Sequence, residues 1–171
     1  MAGPTAMAMQ INLQKSVGEN GACREYWLRF PGLSAASDCD AAAVLYYIEN
    51  PFHEDLVILT ALAVITTLDA QDADIDVGLA DDAAGTNIGA EVFDSIVNTA
   101  VGVFEGTIPQ AVAGTGAKAI WKANGNTTDA FLCVYQNGDV DASALRWNLY
   151  IKVIPYADLI GGDTLDAITV A

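Results

Sequence analysis

The residues best suited to chemistry are aspartates. Asp69, Asp72, Asp74 and Asp76, followed closely by Asp81 and Asp82, present hard carboxylate oxygens of the kind calcium takes. The chemistry on offer is cation binding in the Asp69–Asp82 region, a structural role. The spacing does not complete an EF-hand loop. Counting from Asp72, the sixth position is Val77 where glycine is needed, and the twelfth is Ala83 where a bidentate Glu is needed. A solvated acidic strand face, which also deters edge-to-edge pairing, accounts for the same residues without a cation. It is the preferred reading, so no metal and no cofactor are expected.

Catalytic candidates are sparse. His53 sits in the loop Pro51-Phe52-His53-Glu54-Asp55, and general-base work needs positioned partners that the sequence does not supply. Ser16, Ser34, Ser37, Ser95 and Ser143 lie outside any GxSxG elbow, and neither GxxxxGK[ST] nor GxGxxG occurs. Asn126-Thr127-Thr128 is formally a glycosylation acceptor but reads as turn chemistry. Cys23, Cys39 and Cys133 are widely spaced, with no CxxC or CxxH pattern, so buried free thiols are expected and neither zinc nor a disulfide framework is indicated. Trp27, Trp121 and Trp147 sit in apolar-patterned stretches. Exposed, they would suit sugar stacking; core positions are the expectation for all three. No catalytic site is expected, and the chain is read as non-enzymatic.

The elements that would position these groups are strands. Leu56 to Thr67 is nearly unbroken Leu, Val, Ile, Ala and Thr, which suits a strand buried on both faces. Residues 73–79 alternate, with Ala73, Ile75, Val77 and Leu79 to the core and Asp72, Asp74 and Asp76 to water. With a turn at Leu68–Gln71 the two arms read as a central hairpin. Gly78 marks a bulge or a close backbone approach.

Cys23–Phe30 places Tyr26, Leu28 and Phe30 opposite Trp27 and Arg29, and Pro31-Gly32 should stop it. Leu33–Asp40 reads as a small-residue loop. Ala41–Ile48 reads as a strand with helix as the alternative, ended by Asn50-Pro51. Residues 88–104 are open: Val92, Phe93, Ile96 and Val97 fit a helical stripe, while a loop and then a strand near 101–104 fits as well. Gly106–Gly116 is a loop. Lys118–Ala123, Ala130–Gln136 and Leu145–Pro155 are strands, separated by turns at Asn124-Gly125-Asn126 and Asn137-Gly138-Asp139. The last strand directs Leu145, Trp147, Leu149, Ile151 and Val153 inward and Arg146, Asn148, Tyr150 and Lys152 outward. Met1–Ser16 is either an arm against a neighbour or a frayed terminus, and Gly161–Ala171 is an edge strand or a docking tail.

With 171 residues, 53% hydrophobic and 17% charged, one domain with a real core is expected. Seven basic residues against 22 acidic leave a formal charge of −15. Phosphate contacts with nucleic acid are therefore disfavoured, as is an anionic membrane surface. Leu56–Ile65 is too short to span a bilayer, which takes about 20 apolar residues. The first residues lack a basic n-region and an apolar h-region, and folding in cytosol is the expectation. The fold class expected is all-β: an antiparallel, jelly-roll-like β-sandwich of about 7–9 strands with at most one short helix. It divides into an N-terminal arm, residues 1–20, and a single domain, residues 21–171.

The order IENPFHEDLVI, the long apolar strand, DIDVGLADDA, KAIWKANGNTTDAFLCVY and LYIKVIPY, over Ile48–Tyr156, resembles the decoration or head-fibre proteins of tailed-bacteriophage heads. The resemblance implies a virion structural protein made in the host cytoplasm. Such a protein sits on the capsid surface as a homo-oligomer, expected to be a homotrimer, with the major capsid protein as partner. Either terminus would clamp neighbouring shell subunits. It transfers no catalytic residue. The alternative is a carbohydrate- or ligand-binding β-sandwich module, possible with calcium stabilisation.

Overall fold

The computed structural model describes residues 4–14, 24–35, 43–71, 73–96, 99–106, 119–137 and 141–160. Within them the chain forms β1 (Thr5–Ala6), β2 (Gln10–Gln14), β3 (Glu25–Ser34), β4 (Ala43–Glu49), β5 (Leu56–Thr67), β6 (Asp74–Ala80), β7 (Gly102–Glu105), β8 (Ile120–Trp121), β9 (Phe131–Asn137), β10 (Arg146–Pro155) and α1 (Tyr156–Ile160). The fold is all-β and sandwich-like, with one short helix. The ten strands exceed the expected 7–9 because β1 and β2 fall in the N-terminal segment read as an arm, where short uncharged stretches show no sustained period.

One sheet has the order β1-β4-β9-β6; the other runs β2-β3-β10-β5-β7, with β8 also paired to β5. All pairs are antiparallel except β1 with β4, which is parallel. A single apolar core joins the sheets. Leu28, Phe30, Ile58, Ala61, Ala63, Ile65, Trp147, Leu149, Ile151 and Val153 meet Ile75, Val77, Leu79, Leu132 and Val134. Burying side chains of this size is worth on the order of 2 kcal/mol each, and period-two alternation in β3 and β10 is what delivers them.

The central hairpin does not form. β5 lies between β10 and β7 in one sheet, and β6 pairs with β9 in the other, so the two arms belong to different layers. Each arm has one core-facing set, and the sandwich apposes the two sets across its core. β5 is also less uniformly buried than expected: Ala61, Ala63 and Ile65 are buried, while Leu62 and Val64 are half-buried.

Pro31-Gly32 does not stop its strand. The register jumps from Phe30↔Leu149 to Leu33↔Trp147, so Pro31 and Gly32 together oppose Asn148 as a bulge. Gly32 takes φ +72°, and its amide donates to Asn148 Oδ1 at 3.0 Å. Leu33, expected in a loop, is a buried strand residue; residues 36–40 of that loop, and residues 41–42 of the strand expected after it, lie outside the described residues. Residues 43–49 are strand, which removes the helical alternative.

Among the described residues of 88–104, only those of β7 are regular, paired to β5; Val97 of the expected stripe lies outside the described residues. Val92, Phe93 and Ile96 are buried as the stripe required, but as an irregular segment along β6. Of the N-terminal segment, β1 joins one sheet, β2 joins the other, and Met7 between them is in the core. Among the described residues no helix is long and apolar enough to cross a membrane.

Candidate functional site

Of the acidic cluster, Asp69, Asp76, Asp81 and Asp82 are engaged by hydrogen bonds within the chain, while Asp74 is exposed on β6 as the alternation required. Asp69 accepts the Gln71 amide at 3.1 Å and the Ala144 amide at 2.7 Å. These contacts, the Gln71 amide foremost, hold its carboxyl below the ordinary value of 3.8. Asp82 caps its own turn. It accepts the Ala84 and Thr86 amides at 3.0 Å and the Thr86 hydroxyl at 2.7 Å, and the Thr86 amide is the first cause of its lowered carboxyl. Asp81 accepts Asn87 Nδ2 at 2.7 Å and the Asp129 amide at 3.2 Å. Asp72 lies outside the described residues. Among the described residues no three His, Cys, Asp or Glu side chains converge as a metal site.

Asp76 corrects the expectation of a wet face: it is 3% exposed. Its carboxylate accepts the Ser95 amide at 2.6 Å and also Asn137 Nδ2. Burial, a hydrogen bond to Asp76 and the charges of Asp76, Glu91 and Asp94 push the Tyr135 phenol well above its ordinary value.

The burial of Asp76 has a clear cause. Residues 81–96 fold over the outer face of β6 and β9 as a roof. Gly89 N–H donates to Leu79, Val92 and Phe93 N–H donate to Val77, and Ile96 N–H donates to Ile75, at 2.7–3.1 Å. The roof closes the free edge of β6 as well as its face. A Cβ on Gly78 would lie 1.7 Å from the Gly89 carbonyl oxygen, and one on Gly85 2.5 Å from Val44 Cγ2. The close approach expected at Gly78 is therefore real. Cys133 lies under the same roof, its Sγ 3.8 Å from the Asp82 carbonyl. Burial, with Asp82 adding to it, pushes that thiol up to about 12, so it is an inert protonated thiol. Cys23 and Cys39 lie outside the described residues.

The outer face of the six-stranded sheet contrasts with this. Arg29 stands opposite Tyr150, Tyr150 opposite Leu62, and Leu62 opposite Glu105. In adjoining rows Trp27 faces Lys152, and Asn148, Val64 and Val103 line up. Trp27, Arg29, Leu62, Val64, Tyr150 and Lys152 are half-buried, and Val103 is 64% exposed. Trp121 and Trp147 are core residues as expected, but Trp27 is not; it belongs to this face. Arg29 lies over the Tyr150 ring at 5.8 Å, and its Nη1 donates to Gln10 at 3.1 Å. The Arg29 Nε is buried without a hydrogen-bond partner among the described residues.

One end of the sandwich is clasped by polar side chains. Asn50 is fully buried. Its Nδ2 donates to the carbonyls of Glu54, Trp121 and Lys122 at 2.9–3.1 Å, and its Oδ1 accepts the Phe52 amide at 2.8 Å. Asp55 accepts Lys122 Nζ at 2.9 Å and the Ala123 amide at 2.8 Å. Burial alone would raise that carboxyl; these two donors outweigh it and hold it low. Arg24 pairs with Asp158 and Glu54 at 2.9 Å, tying α1 to the start of β3. His53 is exposed beside this clasp.

Asn50 was legible only as the residue before a proline. The aromatic and arginine patch was half legible, because alternation directs Trp27, Arg29, Tyr150 and Lys152 outward while nothing local pairs the two strands. Comparison with models of protein families, with curated proteins and with solved structures finds no match for this chain.

Proposed function

We propose that this is a non-enzymatic virion structural protein, a capsid-surface decoration protein that binds and stabilises the shell as a homo-oligomer. The observation that carries the reading is the open sheet face, with Trp27, Arg29, Leu62, Val64, Val103 and Tyr150 on one surface. Aromatic side chains and Arg on a broad sheet are what an interface core uses. The winding supports it. β3, β4, β5 and β6 alternate between sheets, with β3-β10-β5-β7 opposite β4-β9-β6, an arrangement that agrees with the jelly-roll winding proposed for it. Viral capsid domains use that architecture, as do lectins, so the fold alone does not choose. The major capsid protein is the proposed partner and a trimer the proposed oligomer. Residues 161–171, with Leu165, Ile168 and Val170, are the proposed clamp, since residues 5–14 are built into both sheets.

The test is co-sedimentation with expanded tailed-bacteriophage heads stripped of their accessory proteins. The full chain should pellet with the shells, and a chain ending at Ile160 should stay in the supernatant with its melting temperature unchanged. Failure of the full chain to pellet with any shell sinks the reading. A second reading, a carbohydrate-binding module, is favoured by one observation: Trp27 and Tyr150 share the open face. Glycan-array binding lost in Trp27→Ala would establish it.

A further inference from the structure

We propose that copies of this chain associate front to back, the open face of the six-stranded sheet on one copy against the acidic roof, residues 81–96, of the next. Five basic side chains lie among the described residues. Arg24, Lys122 and Lys152 are paired with carboxylates. Arg29 and Arg146 form no ion pair with a described residue; Arg29 donates to Gln10, and Arg146 donates to the Ser143 and Leu145 carbonyls. Both arginines lie on β3 and β10, on the outward side of the same sheet. In a chain of 22 acidic and 7 basic residues, two arginines on one face with no carboxylate partner among the described residues mark a surface suited to carboxylates from elsewhere.

The other carboxylates on that face are accounted for. Glu25 pairs with Lys152 at 2.8 Å, and Glu105 accepts the Thr60 hydroxyl at 3.3 Å. Arg29, Arg146 and Lys152 against Glu25 and Glu105 leave the face at +1. The roof carries Asp81, Asp82, Glu91 and Asp94 with no Lys or Arg, or −4. Between these carboxylates it presents small or apolar residues, Ala83, Ala84, Ile88 and Ala90, suited to a sheet face bearing Val103, Val64 and Tyr150.

Charge also decides the symmetry. An isologous contact sets a patch against its own copy, which would oppose arginine to arginine on the open face, or −4 to −4 on the roof. Like charges brought together cost several kcal/mol. Only the front-to-back arrangement opposes unlike charges. Such a heterologous contact closes into a ring if the rotation between copies permits and otherwise grows open.

The experiment reads solution mass by light scattering at up to about 0.1 mM chain, far above the Kd of a micromolar contact. Mass should rise with concentration and fall as salt approaches about 1 M, where the screening length is about 3 Å. Two double variants follow: V103E/R146E alters only the front, and A84K/D94K only the back. Val103, Arg146, Ala84 and Asp94 are all exposed, and thermal melting checks that each variant folds. Each alone should be monomeric. Mixed in equal amounts they should form dimers that grow no further, because each retains one live surface. A wild-type chain that is monomeric throughout overturns the proposal. So does a front variant that assembles like wild type, or a mixture that stays monomeric. Shell pelleting tests the proposed function separately, and its failure leaves this contact standing.

Discussion

The two outer faces of this sandwich are opposites. Over the four-stranded sheet the chain supplies its own cover, and Asp76, Gly78, Ala80 and Cys133, which point away from the core, are as buried as core residues. Over the six-stranded sheet, Trp27, Arg29, Leu62, Val64 and Tyr150 are left half-exposed. The covered side satisfies its polar groups within the chain: Ser95 and Asn137 for Asp76, Thr86 for Asp82. The open side leaves two arginines without a carboxylate partner among the described residues. A face completed internally contributes to stability, and a face left incomplete is available for binding; substitutions should separate the two.

The largest effect is expected at Gly78. A side chain there meets the Gly89 backbone at 1.7 Å, and a carbonyl in a hydrogen-bonded edge cannot yield as a flexible side chain would. Gly78→Val should cost about 3–5 kcal/mol in urea unfolding. A cost below 1 kcal/mol would mean that the roof is not packed on β6. Next is Asp76→Ala, which leaves the Ser95 amide and Asn137 Nδ2 without their acceptor. The loss should be about 2–3 kcal/mol, again by urea unfolding. On the open side Val103→Ser should change the stability of the monomer by no more than about 0.5 kcal/mol, while weakening self-association.

Acid sharpens the contrast more gently. A carboxyl with a depressed folded value stabilises the fold above its unfolded value, and that contribution is lost as pH falls through the folded one. Asp82 and Asp69 are both held below 3.8. Their contribution to the melting temperature is therefore present above the unfolded carboxyl value and is lost as pH falls towards the folded one, beginning at about pH 5. Asp82→Asn should show a shallower acid limb than the unaltered chain. An identical limb would remove Asp82 from the account of the roof turn.

Much of this architecture was legible along the chain. The inward sets Tyr26, Leu28, Phe30 and Trp147, Leu149, Ile151, Val153 follow from alternation alone, because the strand period of two is a local property. The turn at Asn124-Gly125-Asn126 is equally local, with Gly125 at φ +88°. The Pro31-Gly32 bulge was missed since a bulge and a stop carry the same residues. The partners were not legible at all. Lys152 pairs with Trp27 and Trp147 with Leu33 across more than a hundred residues, and no spacing rule reaches that far.

The sequence by itself determined an acidic all-β chain with most of its longer strands and core side chains, because propensity, period and burial act over a few residues. The tertiary structure alone decided that the two arms of the Leu56–Leu79 stretch lie in opposite sheets, that Asp76 is buried, and that one outer face is roofed while the other is open. Those outcomes depend on which strands become neighbours and which loop crosses which face. That choice is made by minimising exposed apolar area over the whole chain, and no segment carries it alone.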